Sequence, residues 1–580
     1  MRSEPITPIW WQRTWLLALV LFAIILLNNS QLIFHSRIYE QDDYAADSLQ
    51  ILKAKQFHET LGHYCRFQFH HPGPAFFYLF GWGELLFSDG LKLVPTPFNA
   101  QLIVLYGLNA FFLSAALMIV ARRLRKGRSW FLALALLLAA WHFGAVGKFY
   151  DFIPGHLGLF CIWPPCLLVL PFLCFIVAAA AVASGEIKEL PLMTLAGCLV
   201  VHGYAVMPLF VGPLTLLAYG ACVLQFRKTR TDKTKWPWQI APGAHWLAAG
   251  TIALFLLPMV VDLVTAHPNN LQRVLRHLET SSAERKSFVQ SLLYFLHFGA
   301  YSAYPNNNSI PALESFDWPG TLSFFTVHWK AYGLWLAVLA LSVVLARQRR
   351  RTNQIEEPGD AEFRRFRQWF GLILFAAIAL TIVWGCIQEG PMFYYTSLFN
   401  FAIYYGVLLL FALLSAQWLE ERVPKCPRRL VLAGRIALCA GVIAAFVHEA
   451  RRFRSMTPDQ AEQAQFAAAI EQALKLDPVE PKFLNFDWQA GGQTARLALY
   501  LERRGCNWLV REDWALYFGE ERIVREGNPG QLAPTLASSF WRVGLHSNSS
   551  NLASPPNANV FPLTADYDLI VNPGKSATAR

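Results

Sequence analysis

Two adjacent carboxylates, Asp42 and Asp43, stand a few residues beyond the first long apolar run of the chain. A carboxylate held at a membrane surface can act as a general base and take the proton of an acceptor hydroxyl. Acidic residues also suit the first turn of a helix, and Ala45, Leu49 and Leu52 predict an amphipathic helix beginning here. Glu40 and Asp47 read as solvated positions on that helix and its approach. Further along, His70 and His71 precede the rigid turn Pro72-Gly73-Pro74, with Arg66 close by. Histidine beside such a turn can meet a phosphate, a metal or simply the interface, and arginine pairs with phosphate through its planar fork. Asp42, Asp43 and His71 are also the ligand types a divalent metal ion would take, although their spacing carries no metal signature. Other chemistry-bearing positions are Lys148, Asp151 and His156 in KFYDFIPGH, His202 in a His-Gly-Tyr turn, and Glu389 in QEGPMFYY. Ionisable groups at the rim of a spanning helix are more often functional than those on a free surface. Arg273, Arg276 and His277 read as one polar face of a surface helix.

The elements that must position these residues are mostly apolar. The chain has 580 residues, of which 54% are hydrophobic and 15% charged. Soluble domains carry about 25% charge, so a polytopic membrane protein is expected. The net charge of +11 marks cytoplasmic loops in such a chain and gives no support to nucleic-acid binding. The ten cysteines show no CxxC spacing, so neither a zinc site nor a disulfide framework is indicated. Cys65 and Cys506 fall in segments placed outside, where a pair or two free thiols are equally compatible with the sequence. No GxGxxG, Walker loop or GxSxG motif occurs in a supporting context, so nucleotide-driven transport has no support.

Four basic clusters set the topology: RRLRKGR from Arg122, RKTRTDKTK from Arg227, RQRRR from Arg347 and RVPKCPRR from Arg422. With all four cytoplasmic, a first helix over 15–34 leads outward. Counting both 72–88 and 98–121 as spans would leave RRLRKGR outside. The segment 72–90 holds two prolines, a glycine and Glu84, so it reads as an interfacial or re-entrant element needing protein cover. Further spans are expected over 98–121, 129–147, 158–183, two within 191–226 parted at His202-Gly203-Tyr204, then 244–264, 331–346, 369–387, 396–416 and 430–447. That makes eleven helices, with the N-terminus cytoplasmic and the C-terminus extracytoplasmic. Residues 1–450 form the membrane part, with outer loops at 35–97 and 265–330. From 451 to 580 the composition becomes that of a small α/β domain: KFLNFDW, NWLVRE and DYDLIVN read as strands, and GQTARLALYLERRG as a helix ending at glycine. Thr457-Pro458-Asp459-Gln460 reads as a helix start with Thr457 as its cap.

In its first 130 residues or so the chain resembles the GT-C superfamily of integral membrane glycosyltransferases, which includes protein O-mannosyltransferases and lipid A aminoarabinose transferases. Members of that superfamily have a first helix, an outer acidic pair followed by an aromatic, and a His-Pro-Pro or Glu-Lys-Pro turn before an aromatic interfacial helix. Here the pair is Asp42-Asp43 with Tyr44, the turn is His71-Pro72-Gly73-Pro74, and PAFFYLFGWGELLF matches the interfacial helix in character. Two departures stand out: Asp43 in place of the usual Glu, and Gly73 in place of the second Pro. The resemblance implies an all-α membrane fold, bacterial inner-membrane placement and a polyprenyl-phosphate-linked sugar donor. It also implies transfer to a lipid, glycan or protein acceptor. Asp42 carries over as the catalytic carboxylate, Asp43 as its neighbour, and His71 as a group near the donor phosphate. Arg66, His70, Lys148 and His202 would add hydrogen bonds or charge to the leaving phosphate. Membrane lipids are the remaining partners, and a divalent ion is the one cofactor the residues would admit. A flippase for lipid-linked glycans predicts inverted repeats and charges deep in helices, neither of which is evident. A polymerase or ligase would place catalytic Arg and His in a large late loop such as 265–330.

Overall fold

The structure is a computed structural model. It describes residues 8–65, 67–124, 128–150, 162–229, 237–280, 285–303, 318–348, 358–388, 392, 394–422, scattered positions from 429 to 445, 458–478, 480–486, 488–524, 540–546 and 558–572. Eight helices in these residues are long and apolar enough to cross a membrane: Trp10–Asn28, Pro97–Ala121, Pro164–Ala183, Pro208–Arg227, Pro242–Thr265, Trp329–Ala346, Ala361–Ile387 and Asn400–Leu419. Arg128–Phe143, Phe288–Ala300 and Leu432–Val442 are apolar but shorter. The protein is a multi-pass, largely helical membrane protein with a small mixed α/β part near its C-terminus.

The chain divides into two compact units, and the division cuts across sequence order. The first comprises Met1–Asn29 and Leu105–Met456. Its centre is the helix Val169–Ala183, in which all fifteen residues are buried. Leu190–Gly203, Pro208–Thr229, Pro358–Ile387 and Asn400–Arg422 pack around it. Pro242–Thr265 and Trp329–Gln348 instead present rows of exposed Leu and Val, as lipid-facing helices do. At one end Arg122 pairs with Glu186 and Glu189 at 2.7 and 2.6 Å. The break anticipated at His202-Gly203-Tyr204 separates Leu190–Gly203 from Pro208–Thr229. The region 265–330, expected as a loop with one polar helix, contains more. After Asn270–Thr280, which buries nothing, comes the apolar helix Phe288–Ala303. Gly299 admits the Tyr404 ring there, so the segment is packed core; its period was masked by the small and polar residues that allow close helix approach.

The second unit comprises Ser30–Val104 and Thr457–Arg580. Its sheet runs in the order Ile523–Val524, Trp508–Arg511, Lys482–Phe486, Phe540–Leu545, Tyr567–Asn572, Asn559–Pro562. The first four strands are mutually parallel, and Tyr567–Asn572 runs antiparallel to both of its neighbours, Phe540–Leu545 and Asn559–Pro562. Leu484 pairs with Trp541 at the centre of the sheet, and the helices Gln460–Leu476 and Gly491–Arg503 cover it with Phe466, Ile470, Leu497 and Leu501. Ala45 and Leu49 of the helix Asp42–Lys55 join the same core. The cap of Gln460–Leu476 is Asp459, whose carboxylate accepts from the Ala461 amide at 2.9 Å, rather than Thr457. Asp is the better cap, and Pro458 lies before the first turn instead of inside it. The three strands and the helix expected from the sequence are present. Phe540–Leu545 was missed because buried residues along FWRVGL do not alternate cleanly.

Candidate active site

The candidate residues Asp42 and Asp43 open the fourteen-residue helix Asp42–Lys55. That helix is fixed by a buried polar network in the second unit. Arg503 grips Glu40 through two nitrogens at 2.8 and 2.5 Å and reaches Glu84 at 3.4 Å. Lys55 bridges Glu84 at 3.1 Å and Asp89 at 2.7 Å. Gln101 donates to Glu84 at 2.8 Å and to Ser48 at 3.1 Å, and Ser48 donates to Glu40. Glu40 is therefore a buried anchor and not a solvated residue. The same correction applies to Asp47, which is buried with its Oδ1 2.7 Å from Nδ1 of His63. Helical periodicity marked both as outward-facing; long-range partners at 63 and 503 turned them inward.

Asp42 itself is exposed and has φ +52°, left-handed backbone that aspartate tolerates better than most residues. Its carboxylate lies against the first turn of Gly491–Arg503. A Cβ at Gly492 would fall 1.5 Å from Asp42 Oδ1, so glycine is what lets the two approach. Backbone N–H groups at a helix start favour an anion at this place. Gln493 donates to the Gln41 side chain at 3.3 Å alongside. Asp43 is half-buried and accepts the Tyr64 hydroxyl at 2.5 Å. The Tyr517 ring stacks edge-on to Tyr64 at 4.7 Å. Burial, and then the carboxylates of Asp43 and Asp42, hold the Tyr517 hydroxyl far above its ordinary pKa, so it stays protonated.

The strands Tyr64–Cys65 and Phe69–His70 form a short antiparallel ribbon. Gly62 is required beside it, because a Cβ there would press on the His71 carbonyl at 2.6 Å. His70 holds the Gly62 carbonyl through Nδ1 at 3.0 Å. His71 is buried, and burial together with His63 and His70 lowers its pKa to about 3. It is therefore neutral near pH 7 and offers hydrogen bonding rather than positive charge. His63, 4.5 Å from Phe77 and 6.5 Å from His71, completes this wall. Glu59 accepts the Thr60 and Leu61 amides at 3.0 and 2.9 Å; burial pushes its pKa up to about 7, against the lowering by Lys53 and those amides.

The structure brings Asp42, Asp43, His70 and His71 into one unit, with His63, Tyr64, Glu59 and Tyr517 as neighbours that the sequence reading passed over. For His63 the available signal was its i+16 spacing from Asp47, which is informative only once the ribbon is known. His202 belongs to the other unit, where it is buried against Phe255 at 4.8 Å. Arg66, Asp151, His156 and Glu389 lie outside the described residues, as does the side chain of Lys148. Cys65 and Cys506 are not joined in a disulfide. No group of three or more His, Cys, Asp or Glu among the described residues is placed to hold a metal ion.

The following helix Ala75–Gly83 continues into a π-helical turn, Glu84–Gly90. Phe76, Phe77 and Phe80 are buried while Trp82, Leu85 and Leu86 are exposed, the two-faced character of an element lying in a membrane interface.

Comparison with solved structures returns ArnT from Cupriavidus metallidurans bound to undecaprenyl phosphate, at 13% identity and TM-score 0.45, covering 95% of this chain and 97% of that one. The apo state of the same protein covers the same shares at 14% identity and TM-score 0.34. No family model and no curated protein matches the chain. At these scores no residue correspondence follows, and the chemistry rests on the chain's own groups.

Proposed function

We propose that the protein is a membrane glycosyltransferase that moves a sugar from a polyprenyl-phosphate donor to a hydroxyl or amine-bearing acceptor at the outer face of the bilayer. The observation that supports this reading is the paired carboxylate at the start of Asp42–Lys55, one member exposed and clamped, followed by a two-faced interfacial helix. A polyprenyl tail stays in lipid while its phosphosugar lies at the surface, and Trp82, Leu85 and Leu86 offer the greasy side of that boundary.

In the reaction, Asp42 takes the acceptor's proton as the acceptor heteroatom bonds to the anomeric carbon. The bond from that carbon to the phosphate oxygen breaks, and its electron pair leaves on the polyprenyl phosphate. Direct displacement inverts the anomeric centre. Asp43, engaged by Tyr64, keeps the helix start in place. The Tyr517 hydroxyl, held protonated, and the neutral imidazole of His71 are the nearby groups able to hydrogen-bond an oxygen that gains charge.

The test is transfer from a synthetic polyprenyl-phosphate sugar by the purified full chain. Removing a general base costs about 10²–10⁴-fold, so Asp42→Asn is expected to lose activity on that scale with donor affinity retained. Gly492→Ala, which drives a methyl group into Asp42 Oδ1, is expected to lower kcat more than it raises KM. Normal transfer by both Asp42→Asn and Asp43→Asn overturns the proposal. A flippase would move lipid-linked sugar across vesicles without forming glycosylated product.

A further inference from the structure

A second feature of the same unit is not used by this chemistry. A cavity of about 450 Å³ opens where Pro95-Thr96-Pro97 leads into the apolar helix Pro97–Ala121. That volume lies within the range of small-ligand sites. Four arginines line it, Arg37, Arg496, Arg503 and Arg504, against two glutamates, Glu40 and Glu471. Both glutamates are already engaged, Glu40 by Arg503 and Glu471 by Arg504. Arg496 is paired with Glu462, so the uncompensated positive charge lies on Arg37.

Arg496 is the decisive residue. It is 1% exposed, with its guanidinium 4.0 Å over the Phe466 ring. Nη1 donates to Glu462 at 3.1 Å, at a carboxylate that is itself part-exposed. Nε and Nη2 have no hydrogen-bond partner among the described residues. These two nitrogens form one edge of the planar fork, the edge that binds two oxygens of a phosphate side by side. Charged donors left buried and unmet are unfavourable, so this edge is open to an incoming acceptor. Arg37 is exposed and makes no ion pair among the described residues; its backbone is tied to Gln460 at 2.8 and 3.1 Å, which holds it at the cavity. Tyr39, Leu499 and Tyr500 give the cavity an apolar side.

We infer that this cavity binds a phosphate group, bidentate on the Nε/Nη2 edge of Arg496 and neutralised by Arg37. Its place at the start of a membrane-crossing helix suits the headgroup of an anionic phospholipid, and free inorganic phosphate offers the same chemistry. The site does not depend on Asp42 acting as a base.

The test uses the full chain, delipidated in neutral detergent. Binding of phosphatidylglycerol, phosphatidylcholine and inorganic phosphate is measured by native mass spectrometry and by thermal shift, for wild type, Arg37→Gln and Arg496→Lys. Arg37→Gln alters an exposed side chain and keeps the fold; Arg496→Lys keeps the charge but loses the fork. Phosphatidylglycerol is expected to bind at least tenfold more tightly to wild type than to either variant, and more tightly than phosphatidylcholine. Inorganic phosphate competing at comparable affinity would assign the site to free phosphate; failure to compete would assign it to the headgroup. Asp42→Asn is expected to retain the binding whatever becomes of its transfer activity. Equal affinity of wild type and both variants for phosphatidylglycerol and for inorganic phosphate would overturn the inference.

Discussion

The helix Val169–Ala183 and the helix Asp42–Lys55 are of nearly equal length and are held by opposite means. The first buries fifteen residues without one charge. The second buries Asp47, Ser48 and Gln50, with Glu40 just before it, and depends on partners 16 to 463 residues away. In the bilayer, packing is dispersion between apolar side chains, and any unsatisfied polar group is costly. In the second unit, buried ions define one register, and each needs its counter-ion. The scaffold is thus tolerant where it faces lipid, while the unit carrying the acidic pair is unforgiving.

Arg503 offers the largest test of that contrast. Removing one partner of a buried pair costs about 3–5 kcal/mol, whereas replacing both by apolar residues is often near neutral. Arg503→Leu strands Glu40, whose side chain is fully buried. A large drop in the thermal midpoint of the detergent-solubilised chain is expected, with most of it restored in the double variant Glu40→Leu/Arg503→Leu. A midpoint unchanged in the single variant would mean that the network contributes nothing and that the contrast is false.

This difference also explains what could be read in advance. Hydropathy is a local property, so Pro97–Ala121, Pro242–Thr265 and Asn400–Arg422 appear close to where the apolar runs put them. The acidic pair was visible because its residue types and its place after the first helix suffice. Its surroundings were not: Asp47 has no meaning as a buried residue until the Gly62–His71 ribbon brings His63 to it, and Gly492 gives no local sign that it faces Asp42. Local sequence assigned Glu40 and Asp47 to solvent because it carries no sign of Arg503, which meets Glu40, or of His63, which meets Asp47.

Glu59 gives the next effect. Its pKa is about 7 in the folded protein against 4.5 for the ordinary carboxyl, with burial as the leading cause. A raised acid binds its proton more tightly when folded, so the stabilisation is complete below about pH 4.5 and is lost as pH rises through about 7. At 1.36 kcal/mol for each pKa unit the swing is about 3 kcal/mol. Glu59→Gln keeps an oxygen for the Thr60 and Leu61 amides and has no charge to bury. Its thermal midpoint is expected to exceed wild type at pH 8 and to match it at pH 4.5. Parallel pH profiles for the two proteins would remove Glu59 from the set of buried ionisable groups.

The smallest effect comes from the opposite region. Leu254 lies on Pro242–Thr265, a helix that leaves most of its surface outward, and its side chain is exposed. Facing lipid, it touches hydrocarbon whether or not the protein is folded around it. Leu254→Ala therefore creates no cavity and is expected to change stability by no more than about 0.5 kcal/mol, as for surface substitutions generally. The same change at Leu173, fully buried in Val169–Ala183, is expected to cost about 2–5 kcal/mol. Both are read by thermal unfolding in one detergent. If Leu254→Ala cost as much as Leu173→Ala, Pro242–Thr265 would have to be packed against protein rather than lipid, and the membrane scaffold would be as exacting as the ion-paired unit.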